Sequence, residues 1–137
     1  MDLIVGIPTT AAGYRAIIVF IDRLTKRANF ESAEFQDTAV DTATIYFETI
    51  FCHHCLPRII IRTKTSLSTA LHLQTDGQGE TLNRTVEEML RHYAAQQPEK
   101  WDETLTPIKF AYNNSILTPT DFSQYFLDTG RHPRITE

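Results

Sequence analysis

Ala16-Ile17-Ile18-Val19-Phe20-Ile21 is an unbroken apolar run dominated by β-branched residues. It shows no alternation of polar and apolar positions, so it reads as a strand covered on both faces. Upstream, Gly6, Pro8 and Gly13 punctuate a loop, and Leu3 to Val5 is a shorter apolar run entered through Asp2. Downstream, Asp22-Arg23 opens a polar turn, and Ala28 to Phe35 alternates loosely as a third strand would. Three strands joined by short connections predict an antiparallel meander.

Helical periodicity follows. Asp37 or Thr38 can cap a helix in which Ala39, Ala43, Tyr46, Phe47 and Ile50 recur at helical spacing, ending at His53, His54, Leu56 and Pro57. Arg58-Ile59-Ile60-Ile61-Arg62 then predicts a short strand, Lys64 to Leu71 could supply another, and Gln74 to Gly79 reads as a polar loop. From Glu80 to Ala95, the residues Leu82, Val86, Met89, Leu90 and Tyr93 make one apolar stripe, with Thr75 and Gln78 at capping-box spacing ahead of it. Pro98 separates this from a third helix around Trp101 to Asn114, where Leu105, Ile108 and Tyr112 face inward and Pro107 is expected to kink the helix or mark a restart. Thr118 to Glu137 reads as irregular, with room for a short turn of helix. Strands first and helices afterwards, with one helix between strands, predict a mixed α/β layer fold.

The chain has 137 residues, which suits one domain, and its 42% hydrophobic content sets it apart from a disordered chain. The longest apolar run is the six-residue strand, far below a membrane span, so no membrane partner is expected. The N-terminus lacks the basic region and cleavage site of a secretory signal. Cys52 and Cys55 do not make a disulfide framework, so a nuclear or cytoplasmic location is expected. A net charge of −4 argues mildly against a nucleic-acid binder, although Arg58, Arg62, Lys64, Arg84 and Arg91 could form a local basic patch.

Few residues invite chemistry. Asp2 begins the first strand, where a carboxylate can hold a metal at a sheet edge; the plain alternative is a solvated terminal residue. Glu80 stands after a glycine-containing loop at the mouth of the second helix, placed either to swing onto a metal or simply to favour the helix dipole. Cys52-His53-His54-Cys55 has zinc-binding residue types, but zinc sites use separated pairs, and four contiguous residues at a helix end point around its axis. Histidines that favour a helix C-terminus are the better account. Asn83, Arg84 and Lys64 could contact phosphates or form part of a solvated surface.

Several blocks carry a resemblance. Met1-Asp2-Leu3-Ile4-Val5-Gly6-Ile7-Pro8, Val19-Phe20-Ile21-Asp22-Arg23-Leu24-Thr25-Lys26 and Leu56-Pro57-Arg58 are followed by His72 through Glu80 and by Leu82-Asn83-Arg84-Thr85-Val86-Glu87-Glu88-Met89-Leu90. Phe110-Ala111-Tyr112-Asn113-Asn114-Ser115 and Gly130-Arg131-His132-Pro133 complete the set. In this order, over nearly the whole chain, they resemble the integrase catalytic core of gypsy-class LTR retrotransposons. The resemblance implies an RNase H-like fold: a mixed sheet of three antiparallel strands plus one or two further strands, flanked by helices. It also implies an Asp-Asp-Glu triad that binds two Mg2+ or Mn2+ ions for in-line attack on a phosphodiester. Asp2 matches the first aspartate and Glu80 the glutamate, as catalytic and metal-binding residues. His72, Gln78, Asn83, Arg84 and Lys64 carry the DNA-binding expectation. The implied partners are retroelement ends, target DNA and further copies of the chain. The single domain, residues 1–137, corresponds to the core without the family's N-terminal zinc domain or C-terminal domain.

The departures from the family pattern matter more. The family places its middle aspartate after the strand equivalent to Arg58 to Ile61, followed by a crossover helix. Here Ile61 leads into Arg62-Thr63-Lys64-Thr65-Ser66-Leu67-Ser68-Thr69, and no acidic residue occurs from Pro57 to Thr75. The middle carboxylate and the crossover helix are expected to be deleted. Leu73 also replaces the family's usual Pro, and Gly79 its usual Thr. Asp22 and Asp76 are the nearest substitute ligands, with a turn role favoured for Asp22. Parallel strands need a crossover of about a dozen residues, so the strand after Ile61 is expected to merge with its neighbour or leave the sheet, exposing apolar surface. The leading expectation is an integrase core remnant, impaired in catalysis. The alternatives are a non-catalytic DNA-binding or self-association module, and an active polynucleotidyl transferase using a substitute carboxylate.

Overall fold

A computed structural model describes residues 1–34, 38–54, 57–61, 77–93, 95, 97–117 and 120–134, with side chains described for all of these except 77–80 and 93. The architecture is mixed α/β. Strands β1 (Asp2–Ile4), β2 (Ala16–Ile21) and β3 (Ala28–Ala33) form an antiparallel sheet in the order β1-β2-β3. Asp2 lies opposite Val19, and Val19 opposite Phe30. This register sends Ile4, Ile17, Val19, Ala28 and Phe30 to one face, where they pack on α3 (Gly77–Tyr93) and α4 (Trp101–Asn114) through Leu82, Val86, Leu90, Trp101, Leu105 and Ile108. Ala16, Ile18, Phe20 and Ala33 occupy the other face and pack on Tyr46 of α1 (Ala39–Tyr46). The central strand is therefore buried on both sides, as its unbroken apolar run predicts.

The helices show where local chemistry sets the boundaries. Thr38 caps α1: its hydroxyl accepts from the Asp41 N–H, while the Asp41 carboxylate accepts from the Thr38 N–H, a reciprocal capping box. The predicted inward stripe shifts. Ala39, Ala43 and Phe47 are exposed, and Tyr46 is the buried residue, with Ile45 and Ile50 partly covered. A π turn over Phe47–Phe51 follows α1, and α2 (Cys52–His54) completes the segment; the wider turn changes the helical spacing only from Phe47 onward. Helix α3 begins at Gly77, inside the predicted loop, because glycines in a first turn escape much of the cost they carry in a helix interior. Helix α4 runs through Pro107 without interruption. Pro107 is exposed, so water can satisfy the carbonyl its ring leaves without a donor.

Two sequence expectations are corrected among the described residues. Ile59, Ile60 and Ile61 do not join the sheet; they are 76%, 54% and 48% exposed. The Ile61 carbonyl accepts from the Met1 amino group at 2.8 Å, so the run reaches the start of β1 without forming a ladder with it. A strand is held by a row of such bonds, and the described residues of this run make one, to the start of β1. The predicted strand from Lys64 to Leu71 and the Thr75 cap lie outside the described residues. The C-terminal segment is more regular than expected: β4 (Ile116–Leu117) and β5 (Phe122–Ser123) pair as a separate hairpin leading into α5 (Gln124–Thr129).

Polar contacts also bind sheet to helix, that of Asn113 among them. Asn113 Oδ1 accepts from the Ala28 N–H at 2.8 Å, and its Nδ2 donates to the Ala28 carbonyl at 2.7 Å and to the Lys109 carbonyl at 2.9 Å. The amide thus serves the edge of β3 as a neighbouring strand would. We expect Ile108→Ala to cost about 2–5 kcal/mol in urea unfolding, and Ile60→Ala to change stability by no more than about 0.5 kcal/mol because it lies outside the core.

Candidate functional site

The site is built on a carboxylate at the end of the sheet. Asp2 in β1 shares the face of Ile4, which points toward α3, and only 5% of its surface remains exposed. An aspartate so deeply covered needs hydrogen-bond partners. Its Oδ1 accepts from the Leu3 N–H at 2.8 Å, and its Oδ2 accepts from Asn83 Nδ2 at 2.5 Å. Asn83 comes from α3 and follows Leu82, whose burial presses that turn of the helix onto the sheet. Residues 81 positions apart are thereby brought together. Glu80 occupies α3 one turn before Asn83, a spacing that shares a helix face; its side chain lies outside the described set, as does that of Gln78.

Asn83 Oδ1 is buried and has no hydrogen-bond partner among the described residues. Such a group costs free energy unless something supplies a donor. The described donors around Asp2 are already committed. Both Asp2 oxygens accept from N–H donors, the sequence supplies no carboxylate from Pro57 to Thr75, and the described residues assemble no group of three His, Cys, Asp or Glu side chains fit to hold a metal.

The other expected site residues divide clearly. Arg84 is exposed and reaches Glu88 at 3.2 Å, an (i, i+4) pair in solvent that contributes little to stability. Lys64, His72 and Asp76 lie outside the described residues. Asp22 is committed to the β2–β3 turn, where its Oδ2 accepts from the Thr25 N–H at 2.8 Å and the Thr25 hydroxyl at 2.7 Å. It lies three residues beyond Val19, the register partner of Asp2, which is roughly 10 Å along a strand. Partial burial pushes the Asp22 carboxyl up, but the Thr25 hydrogen bonds, the Leu24 N–H and the nearby His54 outweigh it, so its pKa falls below the usual 3.8.

Cys52, His53 and His54 are exposed on α2, and Cys52 and His54 make polar contacts. Cys52 Sγ donates to the Phe47 carbonyl at 3.2 Å, and His54 Nδ1 lies 3.7 Å from Asp128, which also pairs with Arg27. Cys55 lies outside the described residues. Sequence reasoning does not find the Asp2–Asn83 contact, since it turns Asn83 toward phosphates. The signal that could locate the contact is the place of Asn83 beside Leu82, on the flank of the buried stripe.

Comparison with known proteins adds an origin. No family model matches the chain. It is similar to the Transposon Tf2-3, Tf2-4 and Tf2-5 polyproteins of Schizosaccharomyces pombe, each 27% identical over 144 residues covering 91% of this chain. This similarity supports a retrotransposon-derived protein. The chain spans 11% of the length of these relatives. The matched stretch of 144 residues also exceeds the 137 residues of the chain, so the relatives carry residues there that this protein lacks.

Two measurements probe the site. In a double-mutant cycle, Asp2→Ala and Asn83→Ala should couple by about 0.5–3 kcal/mol in unfolding free energy; additive effects would mean that the contact does not form. Because the Asp22 pKa is depressed in the folded state, its contribution is present above the unfolded value and lost as pH falls through the folded one. The stability gap between the wild type and Asp22→Asn should therefore be full near neutral pH and close below the ordinary aspartate range.

Proposed function

We propose that this chain is a remnant of a retrotransposon integrase core, RNase H-like in ancestry, linked to DNA integration by descent and impaired in catalysis. The observation that carries this reading is the meeting of Asp2 with the first turns of α3 through Asn83. A buried carboxylate on the first strand, facing a helix that bears Glu80 one turn from the contact, is the placement that the first and last triad members of such a core require. The retrotransposon relatives agree with this ancestry. Their longer matched stretch agrees with a loss of residues from this chain, and the exposed isoleucines at 59–61 suit a strand that has lost its crossover.

Impairment follows from ligand arithmetic. Magnesium demands near-octahedral oxygen coordination, and two cations held by two carboxylates lack both ligands and compensating charge. Arg62 and Lys64, close in sequence to the gap, add positive charge. Binding of Mg2+ or Mn2+ is therefore proposed to be lost, while DNA, further copies of the chain and a nuclear location remain as inherited associations.

The test uses the full chain with a short retroelement-end duplex. Strand-transfer product is expected to be absent in either cation, and ten-millimolar-scale magnesium should leave the melting temperature unchanged, since a ligand that binds only the native state raises it. Metal-dependent product abolished by Asp2→Asn would overturn the proposed impairment.

A further inference from the structure

The C-terminal hairpin and α5 present a feature that the carboxylate site does not use. The rings of Phe122 and Phe126 stack with centroids 4.8 Å apart and planes 14° from parallel, and His132 stacks on Phe126 at 4.7 Å and 28°. Phe126 is thus the middle ring of a three-ring ladder. Its two outer members, Phe122 and His132, are exposed, Phe122 by 44%.

Local folding explains only part of this. Ser123 caps α5 by accepting from the Phe126 N–H at 3.2 Å, and contact between Phe122 and Phe126 closes the helix start much as a hydrophobic staple does, one position short of its usual N4 partner. A staple needs no third ring. His132 arrives because Gly130, at φ 67°, ends α5 in the left-handed conformation and folds the chain back over Phe126. Near-parallel stacking of successive rings is how unpaired bases are held on aromatic side chains, and flanking cations supply the phosphate contacts. Arg131 and Arg134 are both exposed and bracket His132. The nearby acid Asp128 is already paired with Arg27, which also lies over the Tyr125 ring at 5.3 Å; Asp121 is the opposing charge beside Phe122.

We infer that the Phe122–Phe126–His132 ladder is a stacking platform for single-stranded nucleic acid, with a base on the open face of Phe122 and phosphates at Arg131 and Arg134. This use of the C-terminal segment needs neither a metal nor the Asp2 site, so it stands or falls separately from the integrase reading.

The experiment measures fluorescence anisotropy of a labelled oligothymidylate of about 15 nucleotides, within the range of single-strand site sizes, at low salt with EDTA. Wild-type chain should retain it. Phe122→Leu, which keeps an apolar contact but removes the ring face, should weaken binding about 5- to 100-fold, the loss expected for one stacked base. Phe122→Trp should restore it. Arg131→Gln and Arg134→Gln should each flatten the salt dependence by about 0.7 in log–log slope. Circular dichroism and urea midpoints establish that each variant is folded. No retention by the wild type would overturn the inference, as would equal affinity in folded Phe122→Leu. Loss of self-association in Phe122→Leu without a change in oligonucleotide affinity would assign the rings to a protein interface and also overturn it.

Discussion

Strand β2 takes helices on both faces, and every other placement in the chain answers to that burial. Ile17 and Val19 need α3 and α4, while Ile18 and Phe20 need α1. Each buried aliphatic side chain contributes about 1.5–3 kcal/mol relative to exposure, so these residues outweigh any single polar contact in the molecule. The alternation along β2 also fixes the register of β1. Once Ile4 pairs with Ile17, Asp2 falls opposite Val19, on the same face as the helices. The carboxylate is buried because the hydrophobic register puts it there.

That placement sets the demands on α3. A helix held by Leu82, Val86 and Leu90 carries Asn83 to the sheet, where its amide meets Asp2. Asn113 performs a similar service from α4 at the opposite edge, satisfying both backbone groups of Ala28. One side-chain amide serves a carboxylate and the other an unpaired strand edge. Each lies in a helix pinned by apolar neighbours, so hydrophobic packing supplies the precision that these short contacts require.

This hierarchy explains what can be read in the sequence. The three strands, the span of α4 and the apolar stripe of α3 follow from the local pattern of apolar residues, because hydrophobic burial outweighs competing preferences there. On α1 the sheet takes the large ring of Tyr46, which meets Phe20 edge-on, in place of the small Ala39 and Ala43, a choice that spacing alone does not make. The run Ile59–Ile61 has every local mark of a strand, yet strand formation depends on a partner, and partners are not a local property. Asp2 and Glu80 stand out only through their place in a family pattern. The pairing of Asp2 with Asn83 depends on a contact across most of the chain, which no window of neighbouring residues contains.

The same hierarchy decides how the buried carboxylate of Asp2 is held. A carboxylate that depended on cations for its burial would become an unpaired internal charge once the other ligands were lost, at a cost of several kcal/mol. Asp2 instead accepts from the Leu3 backbone and from Asn83, both neutral donors within the chain. Its burial is supported by the packing of β1 and α3. The packing that holds Asp2 therefore needs no cation to keep the carboxylate buried, and the exposed isoleucine run at 59–61 lies outside that packing.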